Sequence, residues 1–226
     1  MNNEKVQEGK TKVMELKKRE QFEKKKLLTI TTICGPMCAG KSCELINIAA
    51  QAESSELKYV CYRPEDSKRE NDGMTIIKSR SKTMTLQANP LKKSFTIEDL
   101  GNLAEMNKII FDEIHFLDTE SIKNFIQECQ KTQERIDIIF AGLDMDFTGK
   151  EFEQTSYVTS ISNKIIKLTA ECSCMECEER ATHTAKTKGN LNQQIEAASE
   201  DMYRAFCKKH WHEANQMYGV QEFQRQ

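Results

Sequence analysis

An α/β fold is what this 226-residue sequence predicts: a mostly parallel sheet flanked by helices, followed by a small C-terminal module built on cysteines. Three observations lead there. Residues 35–42 read Gly-Pro-Met-Cys-Ala-Gly-Lys-Ser, the GxxxxGKS pattern of a phosphate-binding loop. The loop stands between an apolar, β-branched run (27–34) and a stretch free of Gly and Pro (43–52) that puts Leu45, Ile48 and Ala49 on one helical face. Short apolar runs then alternate with helical patterns, the signature of parallel strands joined by crossover helices. From Ser162 onward the chain turns polar and cysteine-bearing, so that segment needs a source of stability other than a core.

Taken in order, residues 57–62 (LKYVCY) form a strand that stops at Arg63-Pro64, where proline ends regular pairing. Residues 65–73 have the polar, charged composition of a mobile loop. Residues 75–78 (TIIK) read as another strand and 96–106 as a helix. Residues 108–113 (KIIFDE) are an apolar strand ending in two carboxylates. Residues 119–130 read as an amphipathic helix capped by Asp118 or Thr119, with Ile122, Phe125 and Ile126 on one side. Residues 136–143 (IDIIFAGL) are the next buried strand and 164–168 (KIIKL) the last. In such sheets ligands collect at the carboxyl ends of strands, where the phosphate loop and Asp112-Glu113 both fall.

The chemistry follows from residue type and place. Backbone N–H groups of the glycine-bearing loop converge on phosphate oxygens at the positive end of the following helix, Lys41 reaches the β- and γ-phosphates, and Ser42 ligates magnesium. Asp112 sits where an acid at a strand end holds that magnesium. Glu113, pointing to the other side of the chain, can take a proton from an attacking hydroxyl. The run DEIH also matches a helicase box, but the chain lacks the length for a second motor domain, so His115 reads as a structural side chain. Cys174-x-x-Cys177 and Cys207-x-x-His210 supply four ligands for a tetrahedral, structural zinc, with Cys172 as an alternative to Cys174. Trp211 and His212 read as packing and surface residues, and Cys34, Cys38, Cys43, Cys61 and Cys129 as small, mostly apolar side chains.

A formal net charge of -2 gives no basic nucleic-acid surface over the whole chain. No apolar run is long enough for a membrane span, and the N-terminus has no signal-peptide core. Nine cysteines, an odd number, suggest thiols and metal in a reducing cytoplasm rather than a disulfide framework. Residues 1–26 hold nine Lys/Arg against five Asp/Glu and no apolar face, the composition of a disordered arm. The expected organisation is therefore this arm, an α/β domain over 27–168, a zinc-binding module over 169–212 and a polar tail over 213–226.

With phosphate loop, acidic pair and metal knuckles in this order, the chain resembles the cellular-type (type II, zinc-containing) thymidine kinase family from about residue 28 to 211. GPMCAGKS looks like its phosphate loop, IIFDEIHFLD like its catalytic strand and FAGLDMDFTGKEF (140–152) like its substrate segment. LTAECSCMEC followed by ATHTAK, and YRAFCKKHW, look like its zinc-binding lasso domain. The resemblance implies a P-loop NTPase-like domain that transfers the γ-phosphate of ATP to the 5'-hydroxyl of thymidine, with deoxyuridine as a second substrate. It implies that Gly35, Pro36, Met37, Cys38, Ala39, Gly40, Lys41 and Ser42 bind ATP, that Ser42 and Asp112 serve Mg2+, and that Glu113 is the base. It implies an apolar slot of Met37, Phe116, Leu143, Phe147 and Phe152, with Thr184 and Tyr203 near the thymine ring, and Zn2+ in the knuckles. A homotetramer with feedback by the end-product triphosphate is implied in the same way, with no nucleic-acid or membrane partner. The lasso departs from the family's usual Gly-Gly by reading Ala197-Ala198-Ser199, and the acid-x-arginine element is replaced by Asp66, Lys68 and Arg69 in an ambiguous register. Lys78-Ser79-Arg80 resembles the variant of some bacterial members. The competing classes are a non-catalytic nucleotide-binding protein and a P-loop ATPase acting on nucleic acid.

Overall fold

Alternation of apolar side chains along central strands feeds two separate cores, one on each face of a parallel sheet. The computed structural model describes residues 28–67, 76–78, 83–131, 135–188 and 202–219. The expected N-terminal arm, Lys68, Arg69, Ser79-Arg80, the lasso stretch Ala197-Ala198-Ser199 and residues 220–226 lie outside the described residues. In chain order the strands are β1 (Leu28–Cys34), β2 (Tyr59–Pro64), β3 (Ile76–Lys78), β4 (Thr85–Gln87), β5 (Asn89–Leu91), β6 (Lys108–Phe111), β7 (Ile136–Gly142) and β8 (Lys164–Lys167). The C-terminal module adds β9 (Ala170–Glu171), β10 (Arg180–Ala181), β11 (His183–Lys186) and β12 (Tyr203–Phe206). Among the described residues the α-helices are α1 (Lys41–Ser54), α2 (Thr119–Lys131), α3 (Glu153–Ile161) and α4 (Lys208–Tyr218).

Six strands form one sheet in the order β5-β2-β6-β7-β1-β8, and every pairing in it is parallel. On one face Ile109, Phe111, Ile138 and Phe140 pack with Ile122, Phe125 and Ile126 of α2 and Val158 of α3. On the other, Ile33, Ile110, Ile139 and Ala141 pack with Leu45, Ile46 and Ala49 of α1. Phe111 centres the first core, its ring 5.4 Å from Tyr62, 5.1 Å from Phe125 and 5.3 Å from Phe140. Being covered on both faces is why β6 and β7 read as continuous apolar runs. Asp118 proves to be the cap of α2, its Oδ2 accepting the Ser121 N–H at 2.9 Å.

One expected element is corrected. In place of a helix over 96–106 there is a single 3-10 turn, Glu98–Leu100, followed by Gly101 at φ 69°. Side chains take the backbone groups that a helix would use. Asp99 Oδ2 accepts the Thr96 N–H at 2.8 Å, Asn102 Oδ1 accepts the Ala104 N–H at 3.0 Å, and the Tyr62 hydroxyl donates to the Leu100 carbonyl at 2.5 Å. Strand β2 runs to Pro64, pairing there with the short edge strand β5. The C-terminal module consists of two antiparallel pairs, β9 with β10 and β11 with β12, closed by α4. That helix continues through residues 213–218 of the expected tail and buries Asn215. No helix among the described residues is long and apolar enough to cross a membrane.

Candidate functional site

The phosphate loop leaves β1 through a close backbone contact that only glycine permits. Gly35 has φ +145°, and a Cβ there would lie 2.3 Å from the Leu168 carbonyl oxygen. Gly40, at φ 90°, caps α1 without a side-chain acceptor, so the first N–H groups of the helix face the loop with no side chain competing for them. Cys38 at the loop crest is exposed and left-handed, φ 64°. Lys41, buried, turns its ammonium onto the loop, donating to the carbonyls of Gly35 at 3.1 Å and Pro36 at 2.7 Å. Burial lowers its pKa, while Glu113, Asp112 and Asp144 pull the other way. Ser42 is half-buried in the first turn of α1.

Two strands away, β6 delivers the carboxylates. Asp112 extends the ladder by one residue, its N–H donating to the Tyr62 carbonyl at 3.0 Å. Its side chain is buried, and Oδ1 accepts the Glu113 N–H at 3.0 Å. Burial, then the charge of Glu113, pushes the Asp112 carboxyl up to about 7; Arg63 and Lys41 oppose the rise. Glu113 breaks from the strand at φ 51°, a left-handed conformation that costs a non-glycine residue about 1–2 kcal/mol. Glu113 Oε2 lies 3.6 Å from His115 Nδ1. That nitrogen accepts the Leu143 N–H at 3.2 Å, and burial lowers the histidine pKa to about 4. His115 is therefore neutral near pH 7, with its ring proton on Nε2, and forms no ion pair with Glu113.

His115 also gathers part of the expected slot. Phe116 and Phe152 pack against its ring at 4.5 and 4.9 Å, and Leu143 is held through its N–H. The other members meet around Thr184 on β11. Met37 N–H donates to Thr184 Oγ1 at 3.0 Å, and Phe147 lies 6.4 Å from Tyr203. Lys186, fully buried, sits over Phe147 at 5.3 Å and Tyr203 at 5.7 Å. Trp211 donates its indole N–H to the carbonyls of both Phe147 and Thr184 at 3.1 Å. The seven slot residues thus fall into two contact groups, one around His115 and one around Thr184. Sequence reading missed Lys186, Arg63 and Asn215 as buried polar residues near the site, and took Trp211 only as packing. Arg63 alone carried a signal, a cation at the end of an apolar strand.

The metal quartet differs by one residue from the one expected. Cys172, Cys177, Cys207 and His210 place their ligand atoms within 4.8 Å of one another, whereas Cys174 is outside the group. The register decides this. Cys172 follows β9 directly, Ser173 N–H donates to the Ala205 carbonyl at 2.8 Å, and the Cys207 N–H donates to Cys172 Sγ at 3.4 Å. Cys174 instead forms the turn, its carbonyl accepting the Cys177 N–H at 3.3 Å. The separations of Cys177 Sγ to Cys207 Sγ, 4.0 Å, and of His210 Nδ1 to Cys207 and Cys172 Sγ, 3.2 and 3.4 Å, suit a tetrahedral zinc, whose thiolates stand about 3.8 Å apart. Burial raises the Cys172 thiol, but N–H donors from Cys207 and Cys174 and the His210 and Cys177 side chains bring it down to about 7. Soft donors in this geometry are compatible with zinc.

A thymidine kinase family model matches residues 28–211. Among similar proteins, the thymidine kinase of Mycoplasmoides gallisepticum is 35% identical over 161 residues, covering 71% of this chain and 68% of the relative. That of Ureaplasma urealyticum is 30% identical over 206 residues, 86% of this chain and 87% of the relative. That of Mesomycoplasma hyopneumoniae is 32% identical over 179 residues, 79% and 92%. A match from the first residue of β1 to Trp211 takes in the phosphate loop, the acidic pair, the slot residues and the metal quartet alike, and the chain belongs to the thymidine kinase family.

Proposed function

We propose that the protein transfers the γ-phosphate of ATP to the 5'-hydroxyl of thymidine to give dTMP, with deoxyuridine as a second acceptor. The observation that carries this reading is the placement of Lys41 and the Asp112-Glu113 pair at the carboxyl ends of β1 and β6, separated only by β7, in a chain of this family. The loop from Gly35 to Ser42 holds the phosphates through its N–H groups, and Lys41 swings from its own loop carbonyls onto the β- and γ-oxygens. The Ser42 hydroxyl and Asp112 carboxylate are the hard oxygen donors that magnesium takes, and that ion, when bound, offsets charge on the phosphates. Glu113 accepts the proton of the 5'-hydroxyl as its oxygen bonds to the γ-phosphorus and the bond to the β,γ-bridging oxygen breaks, releasing ADP. Neutral His115 adds no positive charge of its own beside Glu113.

In this reading the base lies between Met37, Phe116, Leu143, Phe147 and Phe152, with Thr184 and Tyr203 at its edge. Hydrogen bonds to that edge give discrimination, since a mismatched base leaves buried polar groups unpaired. Zinc bound by Cys172, Cys177, Cys207 and His210 fills a closed site and supports the C-terminal module. A cytoplasmic homotetramer completes the reading; a stable monomer by gel filtration at micromolar concentration would refute that assembly. The central test is ATP-dependent phosphorylation of thymidine, deoxyuridine, deoxycytidine and their ribose counterparts. Preference for thymidine supports the proposal, and ATP binding without turnover of any pyrimidine nucleoside overturns it in favour of a non-catalytic nucleotide-binding protein.

A further inference from the structure

Helix α4 joins the metal quartet to the slot. Cys207 is its N-cap, His210 lies in its first turn, and Trp211 and Asn215 follow at a spacing of four, which puts both on one face. That face is buried, with Asn215 at 0% exposure. Asn215 Nδ2 donates to the Phe147 carbonyl at 3.2 Å, the same oxygen that accepts from Trp211 Nε1. Phe147 belongs to a loop folded on itself. Asp146 Oδ1 accepts the N–H groups of Thr148 at 2.8 Å and Lys150 at 3.0 Å, and Asp146 N–H donates to the Lys150 carbonyl at 2.8 Å. The Trp211 ring closes under Gly149, where a Cβ would come within 3.0 Å of it.

Asn215 is an expensive choice if packing were all it did. Its Oδ1 is buried with no hydrogen-bond partner, a cost that a leucine of similar size would not incur. We infer that Asn215 is a positioning residue: with Trp211 it fixes the Phe147 carbonyl and so the loop that aims Leu143, Phe147 and Phe152 into the nucleoside slot. It lies four residues beyond the end of the family match. The consequence for nucleoside binding rests on the function proposed above; the fixing of the loop does not.

The test is Asn215→Leu, read by hydrogen exchange in the unliganded protein and by steady-state kinetics. The amides of Asp146, Thr148, Gly149 and Lys150 exchange about fivefold faster or more, while the thermal midpoint does not fall, because the unpaired Oδ1 goes with the amide. The KM for thymidine rises about fivefold with kcat and the KM for ATP within about twofold of the parent. Asn215→Ser, which leaves room for a water to donate to the Phe147 carbonyl, gives intermediate values and serves the same comparison should the leucine variant not fold. Unchanged loop exchange, or a lower midpoint with the thymidine KM unmoved, overturns the inference. Faster loop exchange in a protein that phosphorylates no nucleoside upholds the positioning and defeats the proposed function instead.

Discussion

Replacing Asp112 by asparagine should stabilise the protein without its ligands, by an amount that grows with pH. Asp112 ordinarily ionises near 3.8 but is pushed up to about 7 by burial and by Glu113, so below that value the folded protein holds a proton that the unfolded chain has lost. Stability then falls as pH rises through the window. Between pH 6.5 and 8 the native protein gives up most of that proton, which makes Asp112 on the order of 1 kcal/mol more costly at the higher pH. The full penalty above pH 8 has an upper limit of about 4 kcal/mol. Below pH 6.5 His115 works the other way. Its lowered pKa makes the native state the poorer proton binder, so its contribution to stability rises with pH between about 4 and 6.5. Comparing Asp112→Asn with the parent cancels His115 and the thiols, and asparagine Oδ1 still accepts the Glu113 N–H. The assay is urea denaturation of both proteins, zinc-saturated, at pH 6.5, 7.25 and 8. A stability gap that is flat with pH, or that favours the parent at pH 8, refutes the reasoning.

Glu113→Gln should lower kcat by about two to four orders of magnitude with ATP affinity within about twofold, since a base acts only as the oxygen attacks; weakened ATP binding, seen by calorimetry, would make the residue a metal or structural partner. Gly35→Ala should cost about 3 kcal/mol or more, because its Cβ meets the Leu168 carbonyl at 2.3 Å and the Leu168 N–H is itself tied to the Cys34 carbonyl at 2.8 Å; a denaturation midpoint near the parent's would show that the contact relaxes. A strong chelator should shift the emission of Trp211, the chain's single tryptophan, at urea concentrations where the sheet's circular dichroism is unchanged. Metal-free protein with parental emission and midpoint would remove the structural role of the quartet.

What could be read ahead of the structure was what is encoded locally. The phosphate loop is eight consecutive residues whose chemistry is its own signature, and β6 and β7 announce themselves because parallel strands covered on both faces must be apolar throughout. The stretch 96–106 misled because Leu100, Leu103 and Met106 have helical spacing, while Gly101 and the side-chain acceptors Asp99 and Asn102 decide the backbone. Helix α3 was hidden by its Thr, Ser, Tyr and Val content, which reads as strand or loop until Val158 packs on the sheet. The choice of Cys172 over Cys174 depends on how the end of β9 lies beside β12, where the Ser173 N–H meets the Ala205 carbonyl, a contact across more than thirty residues that spacing cannot express. His115 and Lys186 owe their surroundings wholly to tertiary contacts.

The energetic costs of this protein are not spread over it. Glu113 is held left-handed, Asp112 and Lys41 are ionisable groups buried at the carboxyl ends of the sheet's strands, and Asn215 leaves an acceptor unpaired. Each would relax if its support were soft, so the support must be stiff where they lie. For Asp112 and Glu113 it is the position of β6 between β2 and β7, with Phe111 locked by rings from Tyr62, Phe125 and Phe140 one residue earlier. For the phosphate loop it is the bond from Met37 to Thr184, which brings in β11 and, through the Thr184 carbonyl, Trp211. The C-terminal module is therefore more than an appendage to the sheet. Through Thr184, Trp211 and Asn215 it grips both the phosphate loop at Met37 and the segment that carries Phe147, so loosening the quartet should disturb both before it disturbs the sheet.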